Sequence, residues 1–304
     1  MELVAPTPQN PAVVFGEAMI ELSGVEAASC RLGVAGDTFN TAVYLARNGA
    51  ATSYMTCLGD EAFSDRISEA LRAEGLAGRY VLRRKGGVPG LYAVTLDEHG
   101  ERAFTYWRSA SAVRGFFGTP GCDEALRTAE RTPLLYLSGI TLSLFSEADR
   151  TRLVSFARAV REEGGAVAFD TNYRPAGWSA RAEAERAMRT LAPYVSLALP
   201  TFEDDAALFG DAAPEATLER WVGWGADEVA VKRGPDGVLL EGGWCPPPER
   251  IAPLDTTGAG DSFNGAYLAA RLRGEAPEAA ALAGHAQAGA VLLVPGAILP
   301  KDAS

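Results

Sequence analysis

Histidine and cysteine are scarce in this chain, two and four residues respectively among 304. The cysteines, Cys30, Cys57, Cys122 and Cys245, are scattered, with no CxxC pair and no histidine cluster nearby. That excludes the usual zinc-ligand spacings and a disulfide framework; the thiols are expected to be reduced and mostly buried, as in a cytosolic protein. Positive charge is also short, with 28 Lys and Arg against 39 Asp and Glu, a net −11. This balance argues against nucleic acid and against an anionic membrane surface as partners, so a small anionic ligand would have to be held by local arginines. Apolar runs are brief. A stretch such as Ala288–Val294 falls far below the roughly 20 residues of a membrane-spanning helix. The proline-containing, acidic N-terminus lacks the basic and apolar regions of a secretion signal, and a soluble cytoplasmic protein is expected.

What the chain does contain is enough apolar material, 47%, for one large α/β domain. Short apolar runs, Ala12–Gly16, Thr52–Gly59, Leu134–Gly139, Ala166–Asp170, Val195–Leu199 and Glu228–Lys232, alternate with segments of helical spacing such as Ser146–Glu163 and Ala180–Leu191. Fully apolar strands alternating with helices predict a doubly wound, mostly parallel sheet covered on both faces. One region breaks the rhythm. From about Tyr80 to Arg108, polar and apolar residues alternate around the turn signals GGVPG and DEHGE, which predicts an antiparallel hairpin. With Met19–Ser23 it would form a small β lid, spanning about 17–34 and 80–112, on a single catalytic domain covering 1–304. Tyr106 and Arg108 are expected on one face of that lid.

The stretch DTTGAGDSFNGAYLAARL, from Asp255 to Leu272, is the most informative. Phe263, Ala266, Tyr267 and Ala270 recur at helical spacing, so Gly258, Ala259, Gly260 and Asp261 form the start of a helix. Free backbone N–H groups and the positive end of the helix dipole meet there, and glycine lets a phosphate approach closely. Asp261 has two compatible readings. It could cap the helix, or it could be a base that deprotonates an attacking hydroxyl while the backbone stabilises a transferred phosphoryl group. The spacing is neither GxGxxG nor GxxxxGK[ST], and no HRD with DFG occurs, so dinucleotide-binding, P-loop and protein-kinase readings are disfavoured.

DTTGAGDSF together with AGDTFNTAVYLARNGA, Ala35–Ala50, resembles the two signatures of the ribokinase, or PfkB, family of carbohydrate kinases. The segments MIELS, GLY at Gly90, ERAFTYWR, LYLSGITLSLFS, FDTNYRPAGW and VKRGPDG extend that likeness from Val13 to about Pro300 and resemble the branch acting on 2-keto-3-deoxygluconate. The resemblance implies a ribokinase-like fold and ATP-dependent phosphorylation of that sugar acid at its 6-hydroxyl. It further implies Asp261 as catalytic base and the Gly258-Ala259-Gly260 backbone as anion hole. Substrate contacts would come from Gly36, Asn40, Tyr92, Tyr106, Arg108 and Arg174, and ATP contacts from Asn172, Lys232, Gly234, Gly237, Gly258, Gly260 and Gly284. Magnesium would accompany ATP, with Asp204 acting through water. Some relatives also hold a potassium ion, at the positions of Asp255 and Thr257 here.

The arginines can be weighed without the family. A guanidinium binds a carboxylate through two parallel hydrogen bonds, which a neutral sugar does not require, and Arg174 follows a strand end, where open α/β sheets place ligands. Three departures stand out: Ala35-Gly36 replaces the usual paired glycines, Thr201-Phe202-Glu203-Asp204 replaces an NxxE element, and Pro295 stands where a polar group is expected. His99, in a turn, and His285, beside the nucleotide side, have no partners suggesting catalysis. The alternatives are a fructokinase or ribokinase using a neutral sugar, and a sugar-sensing protein that has lost catalysis. An exposed lid edge would also favour a homo-oligomer.

Overall fold

The computed structural model describes residues 3–25, 29–96 and 102–301. Fourteen strands are named here: β1 (Ala12–Phe15), β2 (Met19–Ser23), β3 (Arg31–Ala35), β4 (Thr52–Leu58), β5 (Ala77–Arg83), β6 (Leu91–Leu96), β7 (Arg102–Trp107), β8 (Leu134–Ser138), β9 (Ala166–Asp170), β10 (Leu197–Ala198), β11 (Glu228–Val229), β12 (Val231–Lys232), β13 (Val238–Leu240) and β14 (Gly243–Cys245). Seven form a parallel sheet in the order β11-β10-β9-β8-β1-β4-β5. Alternation along each strand feeds two cores. Val13, Phe15, Leu135, Leu137, Val167 and Phe169 enter one, while Ala12, Val14, Leu134, Tyr136, Ala166 and Ala168 enter the other. Burial on both faces is the reason these strands read as continuous apolar runs.

The chain moves outward from β1 to β4 and β5 on one side and from β8 to β9, β10 and β11 on the other. The order therefore reverses between β1 and β8, and a crevice opens at the carboxyl ends of the strands there. The two helical segments read from spacing are helices Glu147–Glu162, capped by the Ser146 side chain, and Arg181–Leu191. Near the C-terminus, helix Ala259–Leu272 packs against both helix Pro277–Leu292 and helix Asp37–Arg47.

A four-stranded sheet, β3-β2-β6-β7, stands over the crevice. β6 and β7 pair antiparallel as expected, with Tyr92 opposite Tyr106; the DEHGE turn, with His99, lies outside the described residues. Three expectations are corrected. Residues 80–83, assigned to this small sheet, instead belong to β5 and pair with β4 at the edge of the main sheet, because Tyr80 contributes to the buried core there. Glu228–Lys232 is two strands rather than one: β11 ends the parallel sheet, and β12 turns into a separate antiparallel sheet with β13 and β14. Of Val195–Leu199, only Leu197 and Ala198 pair as a strand.

Candidate active site

The crevice is a cavity of about 1150 Å³. From the first signature, Gly36, Asp37 and Asn40 reach it; from the small sheet, Met19, Tyr92, Phe104, Tyr106 and Arg108; from the strand ends, Asp170, Asn172, Arg174, Thr201, Asp204 and Lys232; and from the last signature, Gly258, Gly260 and Asp261. Segments separated by more than 200 residues thus meet at one place because the sheet order reverses there.

Asp261 occupies the third residue of helix Ala259–Leu272, whose N-cap is Gly258. The capping reading is therefore overturned: the Asp261 side chain turns away from its own backbone, and its Oδ2 accepts from Asn40 Nδ2 at 2.8 Å. Gly265, one turn further on, explains how the two helices come so close. A Cβ there would lie 2.6 Å from Tyr44 Cβ and 2.8 Å from the Thr41 carbonyl oxygen. Asp261 and Gly265 share a helix face, as do Asn40 and Tyr44, so close packing at the second pair sets the hydrogen bond at the first. Asn40 Oδ1 is buried and has no partner, which leaves an acceptor aimed at whatever fills the cleft. Burial first, and the nearby Asp37 carboxylate second, push the Asp261 carboxyl up to about 8, against the hydrogen bond from Asn40, which pulls it down.

At Gly258 the chain takes φ +75°, a left-handed conformation natural to glycine. The Ala259 N–H turns back to the Thr256 carbonyl at 3.3 Å. Helix geometry leaves the next N–H groups, those of Gly260 and Asp261, without intrahelical acceptors, and they are the donors best placed to meet an anion. Lys232, on β12, is buried and donates to Asp170 Oδ2 at 2.7 Å and to Asn264 Oδ1 at 3.0 Å. Asn172 holds φ +32°, the one positive value among described non-glycine residues. Its Nδ2 donates to Asp37 Oδ2 at 3.3 Å, and Ser138 Oγ donates to the same oxygen at 2.5 Å. Backbone strain of this kind persists only where neighbours enforce it, and it clusters at functional sites.

Arg174 Nη1 donates to both carboxylate oxygens of Asp204, at 2.9 and 3.0 Å, and Arg108 Nη2 donates to Glu17 Oε2 at 2.5 Å. Both arginines face the cleft with part of the guanidinium still open. Tyr92 Oη donates to Glu21, and its ring lies 5.6 Å from that of Tyr106.

Four residues assigned from sequence stand apart from the cleft wall. Gly234 opens the turn Gly234–Asp236 before β13, and Gly237 closes it. Gly284 is buried on helix Pro277–Leu292, where a Cβ would lie 2.6 Å from the Phe263 ring, so its smallness serves helix packing. Ala259 is the first residue of its helix. Sequence reasoning missed Asp37 and Asp170 on the cleft wall, and Glu17 behind Arg108. The GDTFN run held a signal for Asp37, an acid in the first turn of a helix beginning at a glycine. The departures also find places. The Ala35 methyl packs with Met19, Tyr92 and Val94. Pro295 lines a second cavity beside Glu21 and Arg31. His285 bonds to the Cys245 carbonyl oxygen at 3.0 Å and packs edge-on to Phe263, burial holding its pKa down.

The donor set fits ATP accompanied by magnesium. The glycine turn, the open first-turn N–H groups and Lys232 suit a polyphosphate. Among the described residues no three His, Cys, Asp or Glu cluster as a metal cage, and Asp37, Asp170, Asp204 and Asp261 each bond to a protein partner. That suits magnesium held chiefly by phosphates and water.

Residues 9–303 match the pfkB family carbohydrate kinase pattern. A 2-dehydro-3-deoxygluconokinase of Dickeya dadantii is 37% identical over 313 residues, covering 98% of this chain and 99% of the relative. Among solved structures, a 2-dehydro-3-deoxygluconokinase from Thermotoga maritima superposes with a TM-score of 0.83 at 23% identity, over 95% of each chain. An Escherichia coli chain solved in complex with ATP and magnesium superposes with a TM-score of 0.81 at 20% identity, over 95% of this chain and 94% of that one. No described helix is long and apolar enough to cross a membrane.

Proposed function

From the premise that the chain belongs to the pfkB family of carbohydrate kinases, we propose that it is an ATP-dependent 2-dehydro-3-deoxygluconokinase, transferring a phosphoryl group to the 6-hydroxyl of that sugar acid. The observation that carries this reading is the convergence of Asp261, held by Asn40, with the Gly258–Gly260 turn and two arginines in one crevice. Arg108 and Arg174 offer their open donors to the substrate carboxylate. Gly36, Asn40, Tyr92 and Tyr106 line the same part of the cleft and orient the sugar, the free Asn40 Oδ1 accepting a hydroxyl.

Asp261 takes the proton of the terminal hydroxyl as its oxygen attacks the γ-phosphorus in line. The bond to the bridging oxygen of ATP breaks, and ADP leaves. The N–H groups of Gly260 and Asp261 face the charge that develops on the transferred group, with Lys232 and Asn172 flanking the phosphates. Magnesium bound with ATP would neutralise phosphate charge, and Asp204 would be the residue that holds it, through water. Closure of the β3-β2-β6-β7 sheet as a lid excludes water as a competing acceptor.

A coupled ADP-release assay over keto-deoxy acids, aldonic acids, fructose and ribose tests the reading. The expected result is a kcat/KM for 2-keto-3-deoxygluconate at least about tenfold above either neutral sugar; preference for fructose or ribose would replace it with the neutral-sugar alternative, and no ADP release with any sugar would leave a sensor. Including the galactonate epimer and omitting potassium in parallel reads epimer selectivity and any dependence on a cation near Asp255. Arg174→Ala is expected to raise KM for the sugar acid about 10- to 100-fold, the scale of a charged hydrogen bond, with little effect on residual fructose turnover.

Self-association through the lid is part of the same proposal. β7 is the last strand of its sheet, and Trp107, 58% exposed, is the aromatic residue of that strand that does not line the cleft, an edge suited to a second copy of the chain. Gel filtration should give a dimer or larger species, and Trp107→Lys should lower its apparent mass; a wild-type monomer would end the idea.

A further inference from the structure

Four chain crossings join the small sheet to the body: into β2 after Gly16, out of β3 at Gly36, into β6 at Gly90, and out of β7 at Arg108. Glu17 touches all four. It opens the first crossing, its carbonyl oxygen fills the space where a Cβ on Gly36 would lie at 2.4 Å, its Oε1 fills the space where a Cβ on Gly90 would lie at 2.5 Å, and its Oε2 accepts from Arg108. The residue is 2% exposed. Its Oε1 and Arg108 Nε are both buried without a hydrogen-bond partner. Arg114 fixes the other end of the same residue, donating from Nε to the Arg108 carbonyl oxygen at 3.1 Å.

A buried ion pair with unfilled hydrogen bonds is a poor stabiliser, and an apolar pair of similar volume would serve the fold as well or better. What the pair does achieve is conformational. A free arginine side chain must give up its rotamer freedom when it binds a ligand, and one already held in the cleft has surrendered that freedom beforehand. We propose that Glu17 is a positioning residue for substrate recognition: it fixes the Arg108 guanidinium at the junction of body and lid, with its remaining donors turned toward an anionic group of the sugar. The assignment rests on the sugar-acid kinase reading. It places Glu17 outside the chemistry, so its effect falls on substrate affinity.

The test is a double-mutant cycle in steady-state kinetics, using wild type, Glu17→Gln, Arg108→Ala and the double variant with 2-keto-3-deoxygluconate and ATP. Glu17→Gln is expected to raise KM for the sugar acid about 5- to 20-fold, with KM for ATP and kcat within about twofold, and the double variant should be no worse than Arg108→Ala alone. An unchanged sugar-acid KM in Glu17→Gln, or effects that multiply in the double variant, overturns the assignment. Should the glutamine variant not fold, Glu17→Asp, which keeps the charge but withdraws it by one methylene, is read the same way. Wild-type protein inactive on every sugar acid would bring down the functional reading itself, an outcome distinct from wild-type activity with an unaffected Glu17 variant.

Discussion

Asparagine in place of Asp261 is expected to lower turnover on the order of 10²- to 10⁴-fold while nucleotide binding survives, since the amide keeps the size and the hydrogen bond to Asn40 but cannot take a proton. Near-normal turnover in that variant would remove Asp261 from the chemistry. The pH dependence follows from the same residue. Burial and then Asp37 hold its carboxyl up to about 8, from 3.8, and only the ionised form is a base. In the wild type, kcat/KM should therefore climb as pH rises through about 8 and level off above it, because that ratio reports the free enzyme. Asp37→Asn removes a charge that raises the value, so the climb should move to lower pH; an unmoved profile would show that Asp37 does not tune the base.

Stability should change in the opposite sense to activity. The folded chain holds the Asp261 proton more tightly than the unfolded chain, so this stabilisation is fully present below about pH 4 and is lost as pH rises through about 8. Asparagine avoids that loss. Melting at pH 9 should put Asp261→Asn at or above the wild type, and a clear fall would mean that the ionised carboxylate supports the fold.

Gly258→Ala is the second change expected to have a large effect. The residue's left-handed φ of +75° is costly for alanine, about 1–2 kcal/mol, and a Cβ would lie 2.6 Å from Ala297 Cβ and 2.8 Å from Ala297 Cα. Ala297 has little room to yield, because its carbonyl accepts from Tyr44 Oη at 2.9 Å. The glycine turn must therefore shift and carry the N–H groups of Gly260 and Asp261 with it. Loss of one such donor costs about 10²- to 10³-fold in turnover, and that is the fall expected at saturating ATP with far-UV circular dichroism unchanged. A variant within a few-fold of wild type would mean the turn is not the anion site.

Local pattern was strong where one residue type served one purpose. The apolar strands are legible because both faces of each are buried, and the glycine-rich helix start is legible because its conformation needs glycine. Asp261 could be singled out on the same grounds, yet the choice between cap and base depended on Asn40, 221 positions away. Lys232 is expected as an ATP contact from the resemblance alone, and its bond to Asp170 leaves no signal in the sequence. Gly284 shows the reverse difficulty: a glycine with no need for special backbone angles reads alike whether it admits a ligand or an aromatic ring, and here the ring of Phe263 occupies the space. The end of β11 was misplaced for a related reason, since Glu228–Lys232 is apolar enough to continue one strand and only its pairing with β13 divides it.

By itself, then, the order of residues determined the α/β class, the parallel strands and the two signatures, and it singled out Asp261, Arg108 and Arg174 as candidates, because each depends on a pattern within a short segment. The tertiary structure decided which carboxylates sit together, that Glu17 holds Arg108 and Asp204 holds Arg174, and that Glu17 lies where four chain crossings meet. Those facts depend on how sheet reversal and close helix packing bring distant segments within a few ångströms, and charge and hydrogen bonding act over that distance regardless of separation along the chain.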